Sequence, residues 1–548
     1  MMALNADGQL RYPAATATQA RRELLSPVRV LWHSATAADS ETLLRSNEKQ
    51  AFVSAAAAVC RLPPGAGLLL DYGIELHGGI RIVCGRSDQG VNRVRIRFGE
   101  SASEAMGAPN NDHALHDTIL DLPSHGMVSY GQTGFRFLRL DVAPDAGGEV
   151  LLLGVFAEAA YRDLVYAGSF HCSDERLNRI WQTGAYTVHL NMQDYIYDGI
   201  KRDRLVWMGD LNPEIRVIAS VFDDRTAVPD SLDFVRDRTA PGTPINGISS
   251  YSAWWVINQY DWFQYRGDVD YLRRQHSYLR AVLRQLAGYV GADGRENFEA
   301  MRFLDWSSAD NEAAVHAGLQ GVLAWAFDAG ERLCLALGDA DDAKLCASCR
   351  HRLLAHCPDP GFNKPAAALL ALAGFGHPAT VNTDILARHP FAGLSTFMGY
   401  YVLEARAKAG DYAGALEVIR HYWGGMLDFG ATTFWEDFDL DWLENSGRID
   451  ELPISGKHDL HADFGKHCYT GLRHSLCHGW AGGPTAWLSE HLLGVKFLEP
   501  GGRTVAVAPR LLDLEWLEGT FPTAYGPIKV TAERRADGSL ASDVRLPK

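Results

Sequence analysis

Basic residues are in short supply in this 548-residue chain: 52 Lys and Arg stand against 67 Asp and Glu, for a formal net charge of −15. That balance argues against a nucleic-acid partner, which would be gripped through clustered cations. No Lys- or Arg-rich run suggests a membrane surface, and no stretch approaches the roughly 18 uninterrupted apolar residues of a membrane span. Residues 1–10 lack the basic region and apolar run of a secretory signal, which predicts a cytoplasmic protein. The nine cysteines are an odd number, scattered without the spacing of a disulfide framework, and suit a reducing compartment. Cys346 and Cys349 form a lone C-x-x-C inside a helical pattern and read as structural. His458, His461 and His467 match no zinc-ligand spacing and read as a surface cluster. There is neither a phosphate-binding loop nor a dinucleotide fingerprint; Gly65-Ala66-Gly67 reads as a turn. The sequence calls for no cofactor and no metal.

What is present points to several domains. The chain is too long for one ordinary domain, and with 47% hydrophobic residues it can bury a large core. Residues 1–165 read as β. Arg93-Val94-Arg95-Ile96-Arg97-Phe98 alternates as a half-buried strand does. Leu68-Leu69-Leu70-Asp71-Tyr72-Gly73, Gly79-Ile80-Arg81-Ile82-Val83, Phe135-Arg136-Phe137-Leu138-Arg139-Leu140 and the run from Val150 to Phe156 read as further strands. Short strands separated by Gly and Pro turns indicate a sandwich. The Ala- and Thr-rich start reads as disordered.

Near Ser173 the period changes. Ser173-Asp174-Glu175 is a helix start, and Leu177, Ile180, Trp181 and Val188 follow at roughly helical spacing. The chain then reads as mostly helical to about residue 495. Gly-Asp recurs at Gly267-Asp268, Gly338-Asp339 and Gly410-Asp411, at near-constant spacing. Gly stops one helix and Asp caps the next, so the repeat predicts a closed toroid of helical hairpins. Beyond about residue 495 strands return: Thr504-Val505-Ala506-Val507-Ala508, then Ile528-Lys529-Val530-Thr531-Ala532 after the Gly526-Pro527 turn.

Two stretches carry chemistry. Asp198-Gly-Ile-Lys-Arg202-Asp203-Arg204-Leu205-Val206-Trp207-Met208-Gly209-Asp210 packs acids, bases and a tryptophan into one loop. Carboxylates, a guanidinium and an aromatic face suit a sugar, and by themselves suit a solvated ion-pair loop equally well. Far downstream, Gly430-Ala431-Thr432-Thr433-Phe434-Trp435-Glu436-Asp437-Phe438 sets a Trp-Glu pair in an apolar context, where a carboxylate is costly without a partner or a task. Glycoside hydrolysis with inversion needs two carboxyls separated by roughly 6.5–9.5 Å, which favours one from each stretch.

Together these stretches resemble the catalytic domain of the family 78 α-L-rhamnosidases. That family's pattern is roughly Asp-Cys-Pro-x-Arg-Glu-Arg-x-Gly-Trp-x-Gly-Asp, followed much later by Gly-Ala-Thr-Thr-x-Trp-Glu. The resemblance runs in order from about residue 65 to the C-terminus. It implies a multidomain α+β protein with a central (α/α)6 barrel (166–495) flanked by an N-terminal β-sandwich (1–165) and a small C-terminal β-sandwich (496–548). It implies an inverting glycoside hydrolase that releases terminal α-L-rhamnose from a small glycoside or oligosaccharide, with Asp203 as general acid and Glu436 as general base. Asp203 departs from the family's usual Glu, and being one methylene shorter draws its carboxyl back by about 1.5 Å. Gly199-Ile200 replaces the family's Cys-Pro, and Val206 its Gly before Trp. Asp198, Arg202, Trp207 and Asp210 match sugar-binding positions, with Glu214 as a partner just behind them. Trp254, in Ser252-Ala253-Trp254-Trp255, and Trp306, in Phe303-Leu304-Asp305-Trp306, match aromatic walls of the sugar pocket, as does Trp435. His478 stands where the family has Asn-His-Tyr and is a hydroxyl ligand by that match. The rival readings are a glycosidase of the same toroid acting on another glycon, and a non-catalytic carbohydrate-binding homologue. Aglycone, linkage and oligomeric state are not written in these motifs.

Overall fold

Alternation builds the N-terminal sheet. In the strand Asn92–Gly99, Val94, Ile96 and Phe98 turn inward while Arg93 and Arg95 stay exposed. The computed structural model describes residues 3–4, 10–11, 20–52, 58–86, 92–107, 117–467 and 469–547; the Ala- and Thr-rich start lies outside them. Residues 1–165 form one compact unit. Its eight-stranded antiparallel sheet contains β1 (Ala20–Leu25), β2 (Arg29–His33), β3 (Cys60–Leu62), β4 (Gly67–Cys84), β5 (Asn92–Gly99), β6 (Asp117–Leu122), β7 (Met127–Val142) and β8 (Val150–Arg162). The order is β1-β8-β4-β7-β5-β6, with β2 added to β4 and β3 to β8. Leu68, Leu70, Ile80, Ile96, Phe135 and Leu152 lie in its core. The two strands expected around residues 70 and 80 are one long strand, β4. Register shifts against β7 between Asp71 and Leu76 and between Gly78 and Ile80 absorb the break in alternation.

Residues 166–548 form the second unit. Among its described residues twelve α-helical stretches follow one another, with short 3-10 turns between some of them: α1 (Glu175–Asn191), α2 (Leu211–Val221), α3 (Ala227–Arg238), α4 (Ser249–Arg266), α5 (Val269–Gly288), α6 (Glu312–Leu337), α7 (Ala340–Leu354), α8 (Lys364–Ala373), α9 (Pro378–Val381), α10 (Gly399–Lys408), α11 (Tyr412–Val418) and α12 (Gly483–Trp487). α9 and α12 run on into π-helical turns, and α11 continues through a π-helical turn, Ile419–Trp423, into an α-helical end, Gly424–Asp428. Asp174 caps α1, accepting from Arg176 N and Leu177 N. All three Gly-Asp pairs are helix junctions. Gly267, Gly338 and Gly410 are left-handed (φ 67°, 75° and 86°), and Asp268, Asp339 and Asp411 accept N–H bonds from Tyr271, Asp342 and Gly414.

Even- and odd-numbered helices differ in kind. α8 is buried over almost its whole length and α4 on most sides, whereas α5 buries one stripe through Leu272, Leu279, Val282, Leu283 and Leu286. A helix apolar all round must be enclosed, and an amphipathic one lies at a surface. The even helices contact in a circuit: α2 with α4, α4 with α6, α6 with α8, α8 with α10, α10 with α12, and α12 again with α2.

The C-terminal strands belong to this same unit. β9 (Ser169–Cys172) pairs with β12 (Trp516–Thr523), followed by β13 (Gly526–Arg534) and β14 (Leu540–Arg545), while β10 (Val495–Phe497) pairs with β11 (Val505–Val507). β9 was not anticipated, because its partner lies some 350 residues downstream. No described helix is long and apolar enough to cross a membrane. The described cysteines are free thiols.

Candidate active site

The loop 198–210 enters α2 after folding back on itself: Asp198 N donates to Leu205 O at 3.1 Å, and Leu205 N to Asp198 Oδ1 at 2.9 Å. Two buried cations pin it. Lys201 Nζ donates to Leu472 O and His474 O at 2.8 and 2.6 Å, and Arg202 Nε to Arg473 O at 2.7 Å. The turn leaves Asp203 and Arg204 both left-handed, at φ 55° and 52°, a strained state for non-glycine residues.

A third segment joins this loop to the distant Trp-Glu stretch. Gly479 N donates to Asp198 O at 2.8 Å, His478 N to Phe434 O at 3.0 Å, and Glu436 N to Ser475 O at 2.9 Å. The segment 475–479 is thus laced to both motifs through backbone bonds. Around this seam, residues at the N-terminal ends of α2 and α4, and from the segments that lead into α6 and α12, line a cavity of about 190 Å³.

Arg202 is the hub. Its Nη2 donates to both oxygens of Glu436, at 2.8 and 2.6 Å, and its Nη1 to Asp203 Oδ2 at 3.2 Å. Ser475 N adds a bond to Glu436 Oε2 at 3.0 Å. Burial pushes the Glu436 carboxyl upward, with Arg202 opposing. Asp203 differs from Glu436 in exposure: its side chain is 30% exposed, against 4%.

Asp198 and Asp210 have no such hub. Asp198 accepts from Leu205 N, and Asp210 Oδ1 accepts from Tyr251 Oη at 3.2 Å. Burial, then Asp210 nearby, holds the Asp198 carboxyl well above its usual value. Burial pushes Asp210 up to about 8. His478 Nε2 faces three carboxylates, at 3.6 Å from Glu436, 3.9 Å from Asp210 and 4.0 Å from Asp198. Burial, with Arg202 and His474 nearby, keeps that imidazole neutral. His474 is neutral as well, its Nε2 accepting from Asp437 N at 2.8 Å. Burial and Asp305 push Asp437 up to about 7.

The cavity is lined by Asp198, Arg202, Asp203, Trp207, Asp210, Trp306, Glu436 and His478 among the residues expected from sequence. Trp254 and Trp435 are not brought to it. Trp254 is 1% exposed and packs between Trp325 and Tyr401, one helical turn deeper in α4 than Tyr251. Trp435 is 1% exposed, edge-on to Phe438. The side chain that reaches the cavity from α4 is Tyr251, whose one signal in the sequence was its place a turn before Trp254. Trp480 also lines the cavity, donating its Nε1–H to Glu436 O at 2.9 Å, as do Tyr469 and Arg473. His461, read as surface, is fully buried against His474 O at 2.7 Å, while His467 stacks on Trp306.

Closely packed helical hairpins thus gather these carboxyls at one set of helix ends. Residues 166–354 match the family model of the bacterial α-L-rhamnosidase six-hairpin glycosidase domain, and residues 494–548 that of the bacterial α-L-rhamnosidase C-terminal domain. Both matches are to domains of bacterial α-L-rhamnosidases. An α-L-rhamnosidase of Alteromonas sp. (strain LOR) is 23% identical over 527 residues, covering 86% of this chain and 54% of the relative. The chain thus spans about half the length of that relative. The GH78 family rhamnosidase of Bacillus sp. GL1 superposes with a TM-score of 0.72 at 22% identity, covering 92% of this chain and 54% of that one. The Klebsiella oxytoca rhamnosidase with rhamnose bound superposes with a TM-score of 0.67 at 21% identity, covering 86% of this chain and 96% of that one. At these identities the structural likeness speaks for the fold.

Proposed function

We propose that this protein is an inverting α-L-rhamnosidase, releasing terminal α-L-rhamnose from a glycoside or oligosaccharide. The observation that carries the reading is Arg202, one guanidinium that binds both motif carboxylates, Glu436 and Asp203, inside an aromatic-walled cavity. In this reading Glu436 is the general base: it takes a proton from water, which attacks the anomeric carbon. Asp203, on the more exposed side, gives its proton to the leaving oxygen. Inversion needs room for that water, a gap of roughly 6.5–9.5 Å between the two carboxyls. Asp198 and Asp210 accept sugar hydroxyls, His478 is a further hydroxyl ligand, and Trp207 and Trp306 cover the apolar ring face. Arg202 holds Glu436 in orientation until the substrate enters.

The architecture proposed with it is an (α/α)6 barrel over 166–495, supported by the circuit of even helices, with β-sandwich domains at 1–165 and 496–548. In such a barrel the six even helices point their N-termini, the positive ends of their dipoles, toward the acidic cavity.

The test is hydrolysis of p-nitrophenyl α-L-rhamnopyranoside by wild type, Asp203→Asn and Glu436→Gln, beside a panel of other p-nitrophenyl sugars. Proton NMR of the first product formed reads the anomer. Each substitution is expected to lower kcat by about 100-fold or more, and the first product to be β-L-rhamnose. Cleavage of a different glycoside instead would sink the sugar assignment. Full activity in Glu436→Gln would sink the role of Glu436.

A further inference from the structure

Behind the sugar pocket lies a carboxyl that this reaction leaves idle. Glu214 stands one helical turn after Asp210 on α2, so the two acids share a face. Only 1% of Glu214 is exposed, and its Oε1 has no hydrogen-bond partner among the described residues. A carboxylate so placed would be a bare buried charge, far costlier than a neutral carboxylic acid. Its packing is tight: a Cβ at position 479 would fall 1.5 Å from Glu214 Oε1, so the carboxyl fills a hollow that only Gly479 leaves. Gly479 in turn holds Asp198 by its backbone N–H, and the adjacent His478 faces Asp198 and Asp210. The charged groups acting on Glu214 are Asp210, from its own helix, and Asp198, from the facing loop; no base is among them. Burial first, and these two acids second, hold its carboxyl well above the usual range.

We propose that Glu214 is a positioning residue of the acid cluster. It keeps a proton beside Asp198 and Asp210, so that no third buried charge is set against the two acids that line the sugar cavity. The functional half of this inference rests on the glycosidase reading above. An ionised Glu214 would add a negative charge beside Asp198 and Asp210, tighten their hold on protons further, and disturb the pocket whose hydroxyl contacts they make. Because folding strengthens the hold of Glu214 on its proton, the chain loses stability as pH climbs from the unfolded carboxyl's value of about 4.3 toward the folded one.

Thermal unfolding of wild type and Glu214→Gln from about pH 5 to about pH 9, with kcat/KM on the rhamnoside over the same range, tests it. Glutamine has the same shape and cannot ionise. It is expected to raise Tm more at the alkaline end than at the acid end, and to move the alkaline limb of kcat/KM upward. A Tm difference that stays constant across the range overturns the proposal, and so does an alkaline limb that does not move. Where the Gln variant fails to fold, Glu214→Leu supplies the same pH comparison. Should the wild type not cleave the rhamnoside, the unfolding arm still locates the proton, so failure of the sugar assignment and failure of Glu214 are told apart.

Discussion

The two ends of the helical unit handle buried acids in opposite ways. At the N-terminal ends of the even helices, Asp198, Asp210 and Glu214 lie within reach of one another, and the nearest imidazole is neutral. At the C-terminal ends a larger cavity, of about 920 Å³, is lined by acids that each have a partner. Arg216 Nη2 donates to Asp261 at 3.1 Å, His491 Nε2 meets Glu404 at 2.9 Å, and Tyr265 Oη donates to Glu490. Against burial, His491 holds Glu404 below its usual value, and Glu404 raises His491 in return. Lys408 Nζ tops this end by donating to Ala371 O and Leu372 O at 2.9 and 3.0 Å, the last carbonyls of α8. Burial still raises Asp261 and Glu490 at this end, so what separates the two ends is the partner that each acid has and not the direction of every shift.

Three substitutions sharpen that contrast. The largest effect is expected from Gly479→Ala. Its methyl group would displace the Glu214 carboxyl and disturb the backbone that carries His478 and Asp198. Activity should fall by about 100-fold, and by less when Glu214→Ala is also present; equal losses in both backgrounds would show that the clash is not with Glu214. Next is Glu404→Gln at the opposite end, which leaves His491 without its ion pair. Unfolding in urea should show a loss of about 1–3 kcal/mol with kcat unchanged. The Glu404–His491 pair contributes fully between the unfolded values of about 4.3 and about 6.5, and its contribution is lost as pH falls from there through the folded value of Glu404 or rises through that of His491. An altered kcat would place this end in the chemistry. The smallest effect is Tyr251→Phe, which removes the hydroxyl bonded to Asp210. A rise in KM of about fivefold, near 1 kcal/mol, is expected; no change would mean that Asp210 does not depend on the tyrosine.

Much of this was legible in the chain itself, for local reasons. Gly267-Asp268, Gly338-Asp339 and Gly410-Asp411 announced helix junctions because a left-handed stop and a short acceptor are chemical requirements of the turn. Asp198, Arg202 and Asp210 were legible because charge without helical periodicity stands out. The parts that escaped depend on distance. Which ring of α4 reaches the cavity is decided by the rotation of a buried helix, and a run as aromatic as Tyr251–Trp255 has no polar face to report it. The burial of His461 and the partnership of Glu214 with Gly479 arise from segments hundreds of residues apart, or from a missing side chain, and no spacing rule encodes either.

The pairing of β9 with β12 has a consequence for how the chain is made. Ser169 and its partner Thr520 are 351 residues apart, so the strand that opens the helical unit waits unpaired on the ribosome until β12 emerges. At roughly 5–20 residues per second, that wait is roughly 20–70 s. The helices α1 to α12 are synthesised within that interval, and the edge of the nascent helical unit stays open until β12 has been made.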